Sequence, residues 1–295
     1  MIRKKFFEVI TMDKRTRLAE IFQDTQQFYN SNPTLIESVN ASKAGTKLYE
    51  DGTRLDFPAN IRKAGVISIT KSKTYEAVMR LNKQHPDKRI AVLNFASASR
   101  PGGGVKSGSS AQEESLCRCS TLYPTLDRRV LWQRYYDVNR ASGNVLHTDA
   151  CIYSPGVIIC KTDTDFPERM VEKDWCKVDV ISCAAPNLRN EPANQYNPET
   201  GEAVRILPSV LQKIHEQRAR QILAVAADNN IDILVLGAFG CGAFRNDPKV
   251  VAKAYQNVLT DYRQYFELVE FAIYCRDFET ENYDAFQEIF GINTL

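Results

Sequence analysis

The sequence lacks the features of several common classes of protein. It has no apolar run near the ~20 residues that a membrane-spanning helix needs. Its basic N-terminal segment is interrupted by charge too soon for a signal peptide. With 38 Lys and Arg against 36 Asp and Glu, the net charge of +2 leaves no excess of cations for coating a nucleic-acid backbone. We therefore expect a cytoplasmic protein with no membrane partner and no dedicated nucleic-acid surface.

Residues that bind metals are also scarce. The chain has three histidines, and none of its eight cysteines forms a C-x-x-C pair. A structural zinc site usually needs four such ligands at regular spacing. We therefore expect no metal and no other cofactor. Most of the cysteines lie in apolar segments of strand character, and we interpret them as buried reduced thiols.

The composition that remains, 43% hydrophobic and 25% charged, is typical of a globular protein. Apolar runs of strand length, such as 90–95, 151–153, 157–160 and 232–236, alternate with segments of helical periodicity, such as 202–228. This alternation predicts an α/β fold whose sheet is covered by helices on both faces. We interpret residues 1–60 as a helical N-terminal extension packed on the main domain, and residues 61–295 as that domain. Within the extension, the periodicity predicts a helix that ends at Asn32-Pro33, and the polar stretch 40–60 gives no clear prediction.

A glycine-rich loop, Gly102–Gly104, follows the strand at 90–95. Three consecutive glycines leave the backbone N–H groups open to a ligand, and ligands of open α/β sheets bind at the carboxyl ends of strands. A purely structural turn is the alternative. Two phosphate-binding motifs do not fit, because Ser109 replaces the lysine of a P-loop and Ser107 replaces the third glycine of a dinucleotide fingerprint.

A second loop of small residues, Gly237–Phe244, follows the strand at 232–236 and precedes a helix near 249–262. Backbone donors in front of a helix suit a diphosphate, although a plain strand-to-helix turn would have the same sequence. Cys241 could be a nucleophile, but no neighbouring base supports that role. Phe244 could lie against a sugar or base, or could anchor the loop in the core.

Two adjacent acids, Glu113 and Glu114, open a predicted helix at 111–122. Neighbouring residues on a helix point about 100° apart, so the two carboxylates cannot share one task. One of them could orient a substrate hydroxyl while the other transfers protons, with a pKa raised by partial desolvation. The alternative is that both are ordinary first-turn acids that complement the helix dipole.

Gly102-Gly103-Gly104, followed after seven residues by Gln112-Glu113-Glu114, resembles the GGG-x(6–8)-QEE signature of poly(ADP-ribose) glycohydrolases. The surrounding LNFASASRPGGG and the later GAFGCGAFRNDP are similar to the bacterial-type (microbial) branch. The resemblance covers roughly residues 60–291, and a helical N-terminal extension is typical of that branch. It implies a macrodomain, with a mixed, largely parallel sheet between helices and ADP-ribose in a cleft at the strand ends.

The resemblance also implies roles for individual residues. Gln112 would fix the loop that presents the acids, Glu113 would hydrogen-bond ribose hydroxyls, and Glu114 would carry out proton transfer. The substrate-binding residues would be Gly102, Gly103, Gly104, Val105, Gln112, Gly240, Cys241, Gly242, Ala243 and Phe244.

The implied reaction is hydrolysis of the ribose–ribose O-glycosidic bond of poly(ADP-ribose), or of ADP-ribosylated protein, with ADP-ribose as the product. Bacterial-type members resemble exo-acting enzymes, and we expect a monomer. Three alternatives remain at this point. One is an ADP-ribose reader without turnover, and another is a hydrolase of mono-ADP-ribose on protein or nucleic acid. The third is an enzyme that processes a nucleotide sugar or NAD, which would explain the glycine loops but not the signature.

Overall fold

The structure, a computed structural model, describes residues 13–53, 55, 61, 65–193 and 201–291. These residues form a seven-stranded sheet in the order β1-β4-β5-β3-β6-β7-β2. The strands are β1 (Lys47–Tyr49), β2 (Val66–Thr70), β3 (Ile90–Phe95), β4 (Cys151–Ile159), β5 (Cys176–Cys183), β6 (Ile233–Leu236) and β7 (Leu268–Ala272). Strands β5, β3, β6, β7 and β2 are parallel, β4 is antiparallel to β5, and β1 is antiparallel to β4. The predicted mixed, largely parallel sheet is confirmed.

Helices cover both faces of this sheet. They are α1 (Lys14–Ser31), α2 (Pro33–Gly45), α3 (Thr74–Gln84), α4 (Gln112–Cys119), α5 (Tyr123–Leu126), α6 (Arg129–Leu131), α7 (Asp137–Ser142), α8 (Pro208–Asp228), α9 (Pro248–Tyr262) and α10 (Glu281–Gly291). A π-helical turn, Trp132–Tyr136, connects α6 to α7. No helix among the described residues is long and apolar enough to cross a membrane.

Strand β3 lies at the centre of the fold and separates two hydrophobic cores. Ala91 and Leu93 pack into the core beneath α8 and α9, whereas Ile90 and Val92 pack into the core beneath α3 and α4. Successive side chains of a strand point to opposite faces, so a strand buried on both faces must be apolar throughout. Because β5, β3 and β6 are parallel, their carboxyl ends meet at one edge of the sheet, between the two helix layers.

The N-terminal segment contributes more than helices. The predicted helix end at Asn32-Pro33 is also the start of α2, because Asn32 Oδ1 accepts the Leu35 N–H at 3.1 Å and Pro33 occupies the first turn. Strand β1 then pairs with β4 and becomes an edge strand of the sheet. Residues 1–12, 56–60 and 62–64 lie outside the described residues, and the domain boundary at residues 60 and 61 stays a prediction.

Three predicted elements differ in extent from those in the structure. The helix expected at 202–228 begins only at Pro208, which suits the first turn because it needs no N–H partner there. The strands expected at 151–153 and 157–160 are one strand, with a register shift between Ser154 and Val157. A proline and a glycine with φ of +64° stand in that interval, as is common at bulges.

The helix expected at 111–122 also differs, because it ends at Cys119. Ser120, the next residue, is extended. All eight cysteines are free thiols. Six are buried, which confirms the interpretation made for most of them, and Cys241 and Cys275 are half-buried.

Candidate active site

Gln112, the first residue of α4, attaches that helix to the carboxyl end of β3. Its Oε1 accepts the Phe95 N–H at 2.8 Å, and its Nε2 donates to the Leu93 carbonyl at 2.8 Å and to Thr74 Oγ1 at 3.1 Å. The side chain therefore pairs with the backbone of β3 as a neighbouring strand would. Displacing the start of α4, which carries both glutamates, would break three hydrogen bonds.

Glu113 lies beneath the end of β3 and is only 3% exposed. Its Oε2 accepts the Ser97 N–H at 2.7 Å, and the Asn94 amide lies 3.4 Å from its Oε1. Burial, followed by the charge of Glu114, raises the pKa of Glu113 well above its usual range, and the Ser97 and Asn94 donors only partly oppose this. The environment therefore favours the protonated form of Glu113.

Glu114 points to the glycine loop from the same turn of α4. It is 8% exposed, and its Oε1 accepts the Gly104 N–H at 2.8 Å. Its other oxygen, Oε2, has no hydrogen-bond partner within the described residues. The carboxyl group is thus held in place through one oxygen, and the second remains available to a substrate.

The glycine triplet is shaped around these two acids. Gly102 and Gly103 have φ of +64° and +53°, in the left-handed region that favours glycine. A Cβ on Gly103 would lie 2.6 Å from Glu114 Oε1 and 3.1 Å from Glu113 Oε2. At this position, the absence of a side chain leaves room for the carboxyl groups themselves, in addition to any access it gives to a ligand.

Val105, predicted to bind substrate, is placed differently from the glycines that precede it. It begins a short 3₁₀ turn, Val105–Ser107, and its N–H donates to the Gly102 carbonyl at 3.0 Å. Its side chain is completely buried in the core beneath α3 and α4. In this structure Val105 therefore presents no exposed surface to a substrate.

The second loop is held in place by Asn246, which is not one of the predicted site residues. Asn246 is 2% exposed, and its Nδ2 donates to the Pro186 and Gly240 carbonyls at 2.7 and 3.0 Å. Its Oδ1 lies 2.8 Å from His215 Nε2. Burial lowers the pKa of His215 to about 4, so this histidine is neutral near pH 7. Asn246 and His215 together fix the path of the loop.

The tip of this loop is more open than its base. Gly242 and Ala243 are exposed, and a Cβ on Gly242 would meet no atom within 4 Å. Phe244 is half-buried, with its ring 6.2 Å from that of His147. Burial, followed by the charge of Asp247, raises the pKa of the Cys241 thiol far above its usual range, which argues against a nucleophilic thiolate.

The sheet brings the two loops together, since β3 and β6 are adjacent. The rings of Phe95 and Phe239 lie 5.6 Å apart, one at the base of each loop. A Cβ on Gly237 would lie 2.9 Å from Phe95 Cζ, so the two segments are in close contact. The described residues contain no group of three His, Cys, Asp or Glu side chains placed to hold a metal ion.

Known proteins share both the sequence pattern and the fold. Residues 19–162 match the model of the microbial-type poly(ADP-ribose) glycohydrolase catalytic domain. A crystal structure of poly(ADP-ribose) glycohydrolase from Deinococcus radiodurans in complex with ADP-ribose is 33% identical, with a TM-score of 0.70, over 87% of this chain and 98% of that chain. The chain belongs to the microbial-type poly(ADP-ribose) glycohydrolase family.

Structures from a second organism extend the match. Poly(ADP-ribose) glycohydrolase from Thermomonospora curvata is 29% identical, with a TM-score of 0.76, over 94% of this chain and 100% of that chain. The same enzyme bound to the inhibitor ADP-HPD is 30% identical, with a TM-score of 0.75 and the same coverage. No curated protein matches the chain. The family resemblance and the macrodomain-like fold expected from the sequence are confirmed.

Proposed function

We propose that the chain hydrolyses the ribose–ribose O-glycosidic bond of poly(ADP-ribose) and releases ADP-ribose, with Glu114 as the general acid and base. The observation that supports this most strongly is the pair of buried carboxyl groups at the end of β3. Glu113 is held by the Ser97 N–H and Glu114 by the Gly104 N–H, beside a loop of bare backbone. Family membership supplies the substrate class.

The second loop is suited to the diphosphate of ADP-ribose. Among the backbone hydrogen bonds of the described residues, none is donated by the N–H groups of Gly242, Ala243 or Phe244, and the first two residues are exposed. Free backbone donors in a tight turn form a concave site for anions. Phe244 would then lie against the ribose that is attached to the diphosphate and contains the reacting carbon C1.

The proposed reaction uses one carboxyl group in both proton steps. Glu114 donates its proton to the leaving 2′-oxygen as the bond from that oxygen to C1 of the departing ADP-ribose breaks. Water then attacks C1 and gives its proton to the Glu114 carboxylate, which restores the starting state. Typical glycosidases divide these tasks between two carboxylates. Such acid–base catalysis contributes about 10²–10⁴-fold, and the diphosphate would offset part of the charge on the oxocarbenium-like centre.

Glu113 has a different role in this proposal. A protonated Glu113 would hydrogen-bond the ribose hydroxyls and would place no negative charge beside the Glu114 carboxylate that forms after proton donation. Glu113 would thus orient the ribose, while Glu114 alone transfers protons.

We further propose that the enzyme acts at chain ends, as the resemblance to the bacterial-type branch implies, and that it is a cytoplasmic monomer without a dedicated nucleic-acid surface.

Residues 1–60 would fold as an extension of the catalytic domain. The contacts of α1 support this, since Thr25 Oγ1 donates to the Arg118 carbonyl at 2.6 Å and Arg15 Nε to the Ser107 carbonyl at 3.3 Å. The extension would thus pack against both α4 and the first glycine loop and stabilise them.

The test is release of ADP-ribose from poly(ADP-ribose) by the wild type and by Glu114→Gln, with ADP-ribose binding to both measured by calorimetry. Glutamine preserves the shape of the side chain but cannot exchange a proton. We expect the variant to bind ADP-ribose and to release it at least about 100-fold more slowly. Glu37→Gln, an exposed change on α2, is the matched control. A wild type that binds ADP-ribose but leaves the polymer intact would contradict the proposal.

A further inference from the structure

On the loop after β5, the side chain of Arg189 is fixed by hydrogen bonds, one of them to the buried Asn187. Asn187 is 2% exposed, and its N–H donates to the Val145 carbonyl at 2.8 Å. Its Oδ1 accepts Arg189 Nε at 3.0 Å, and Arg189 Nη2 donates to the Pro192 carbonyl at 2.7 Å. These two bonds fix the orientation of the guanidinium and leave some of its five N–H donors unused.

Arg189 is also joined to the second glycine loop. The N–H of its neighbour Leu188 donates to the Phe244 carbonyl at 2.9 Å. The guanidinium carbon lies 5.6 Å from the centre of the Phe244 ring, within the range of a cation–π contact. Arg189 therefore lies beside the aromatic residue and the free backbone donors that the proposed function assigns to ribose and diphosphate.

The charge of this guanidinium is not balanced within the described protein. Arg218 on α8 is buried and pairs with Asp149 at 2.8 Å, but none of the ion pairs among the described residues includes Arg189. Partial burial lowers the pKa of Arg189. His147, whose ring lies 6.2 Å from that of Phe244, has a pKa lowered to about 4 by burial and carries no charge near neutral pH. A half-buried cation with an ordered side chain and no counter-charge among the described residues is suited to an anionic ligand.

We propose that Arg189 binds a phosphate of the poly(ADP-ribose) substrate. This inference rests on the proposed function, which supplies a diphosphate in the adjacent loop. The planar guanidinium offers paired donors that match phosphate oxygens. The phosphate belongs either to the ADP-ribose unit in the cleft or to the neighbouring unit of the polymer, and the two sources are separable by experiment.

The experiment compares the wild type with Arg189→Gln, Arg189→Lys and the control Arg220→Gln, which removes one positive charge from an exposed side chain of α8 that pairs with Glu216. The dissociation constant for ADP-ribose is measured by calorimetry, and kcat and KM for release are measured on the polymer, each at low and high salt. Melting temperatures verify that the variants are folded.

We expect Arg189→Gln to weaken binding about tenfold or more, because a hydrogen bond to a charged group is lost, with little change in kcat. Arg189→Lys should restore part of the affinity, since it keeps the charge but not the planar fork. A higher dissociation constant for ADP-ribose would place the phosphate in the cleft, whereas a higher KM for the polymer alone would place it in the neighbouring unit. Affinity and KM that match the control, or a loss confined to kcat, would overturn the inference. Failure of the wild type to cleave the polymer would instead refute the proposed function, and the binding comparison would still test Arg189.

Discussion

The two glycine-rich loops look alike in sequence, but the structure gives them different environments. Gly103 has no space for a side chain, because the carboxyl groups of Glu113 and Glu114 occupy it. A Cβ on Gly242, at the tip of the second loop, would meet no atom within 4 Å. Gly103 therefore allows close packing around the acids, whereas Gly242 leaves the backbone exposed at the tip of its loop. The distinction separates a segment that packs around the two proposed catalytic acids from a loop tip that is open to the proposed diphosphate.

The sharpest test of this distinction is Gly103→Ala with Gly242→Ala as its counterpart. Alanine at 103 would face left-handed backbone strain and a Cβ 2.6 Å from Glu114 Oε1. Because catalytic groups displaced by about 1 Å can lose about 100-fold in rate, we expect a loss of that order in kcat. Gly242→Ala should leave the melting temperature unchanged and at most weaken ADP-ribose binding, since its Cβ enters open space. Equal losses of kcat and of melting temperature in Gly103→Ala and Gly242→Ala would contradict the difference between the two loops.

A second test acts on the support of the open loop alone. Asn246→Ala removes the donor to the Pro186 and Gly240 carbonyls and leaves His215 without its partner. We expect the free energy of unfolding to fall by about 1–3 kcal/mol, because buried polar groups lose their hydrogen bonds. Denaturant unfolding measures this change, and calorimetry should show weaker ADP-ribose binding. A variant with normal stability and affinity would mean that the loop does not depend on Asn246.

A third test concerns the protonated carboxyl group beneath the first loop. The pKa of Glu113 is raised in the folded protein, so folding takes up a proton. The stabilisation from this group is complete below the ordinary glutamate pKa of about 4.3 and is lost as the pH rises through the folded value. Glu113→Gln cannot lose a proton and should gain stability relative to the wild type as the pH rises, by at most about 1.4 kcal/mol per pH unit.

Melting temperatures from pH 4.5 to 8 measure the stability difference for Glu113→Gln. Glu37→Gln again serves as the control, because that exposed carboxylate should give a difference that does not vary with pH. A pH-independent difference for Glu113→Gln would show that Glu113 is ionised in the folded enzyme throughout this range.

Much of the first loop could be predicted from the sequence, because its residues are close together in the chain. Gln112, Glu113 and Glu114 form one motif with the glycines, and all three side chains reach back to β3 or to the loop. The buried side chain of Val105 could not be foreseen, since its direction depends on packing beneath α3 and α4.

The second loop was harder to predict because its supports are distant in sequence. Asn246 meets His215 31 positions earlier and Pro186 60 positions earlier. Arg189 reaches Phe244 only because β5 and β6 both flank β3. In the same way, β1 lies in a polar stretch, where pairing with β4 determines the strand and local periodicity does not predict it.

The most direct measurement of the central claim compares wild type and Glu114→Gln on two substrates: poly(ADP-ribose), and an ADP-riboside with a 4-nitrophenolate leaving group. Only the polymer needs a proton on its leaving oxygen. The proposed mechanism predicts that Glu114→Gln slows release from the polymer by about 10²–10⁴-fold and slows release from the activated substrate much less, while ADP-ribose affinity is retained. Release from the polymer at the wild-type rate, or equal losses on both substrates, would contradict the role of Glu114 as the general acid.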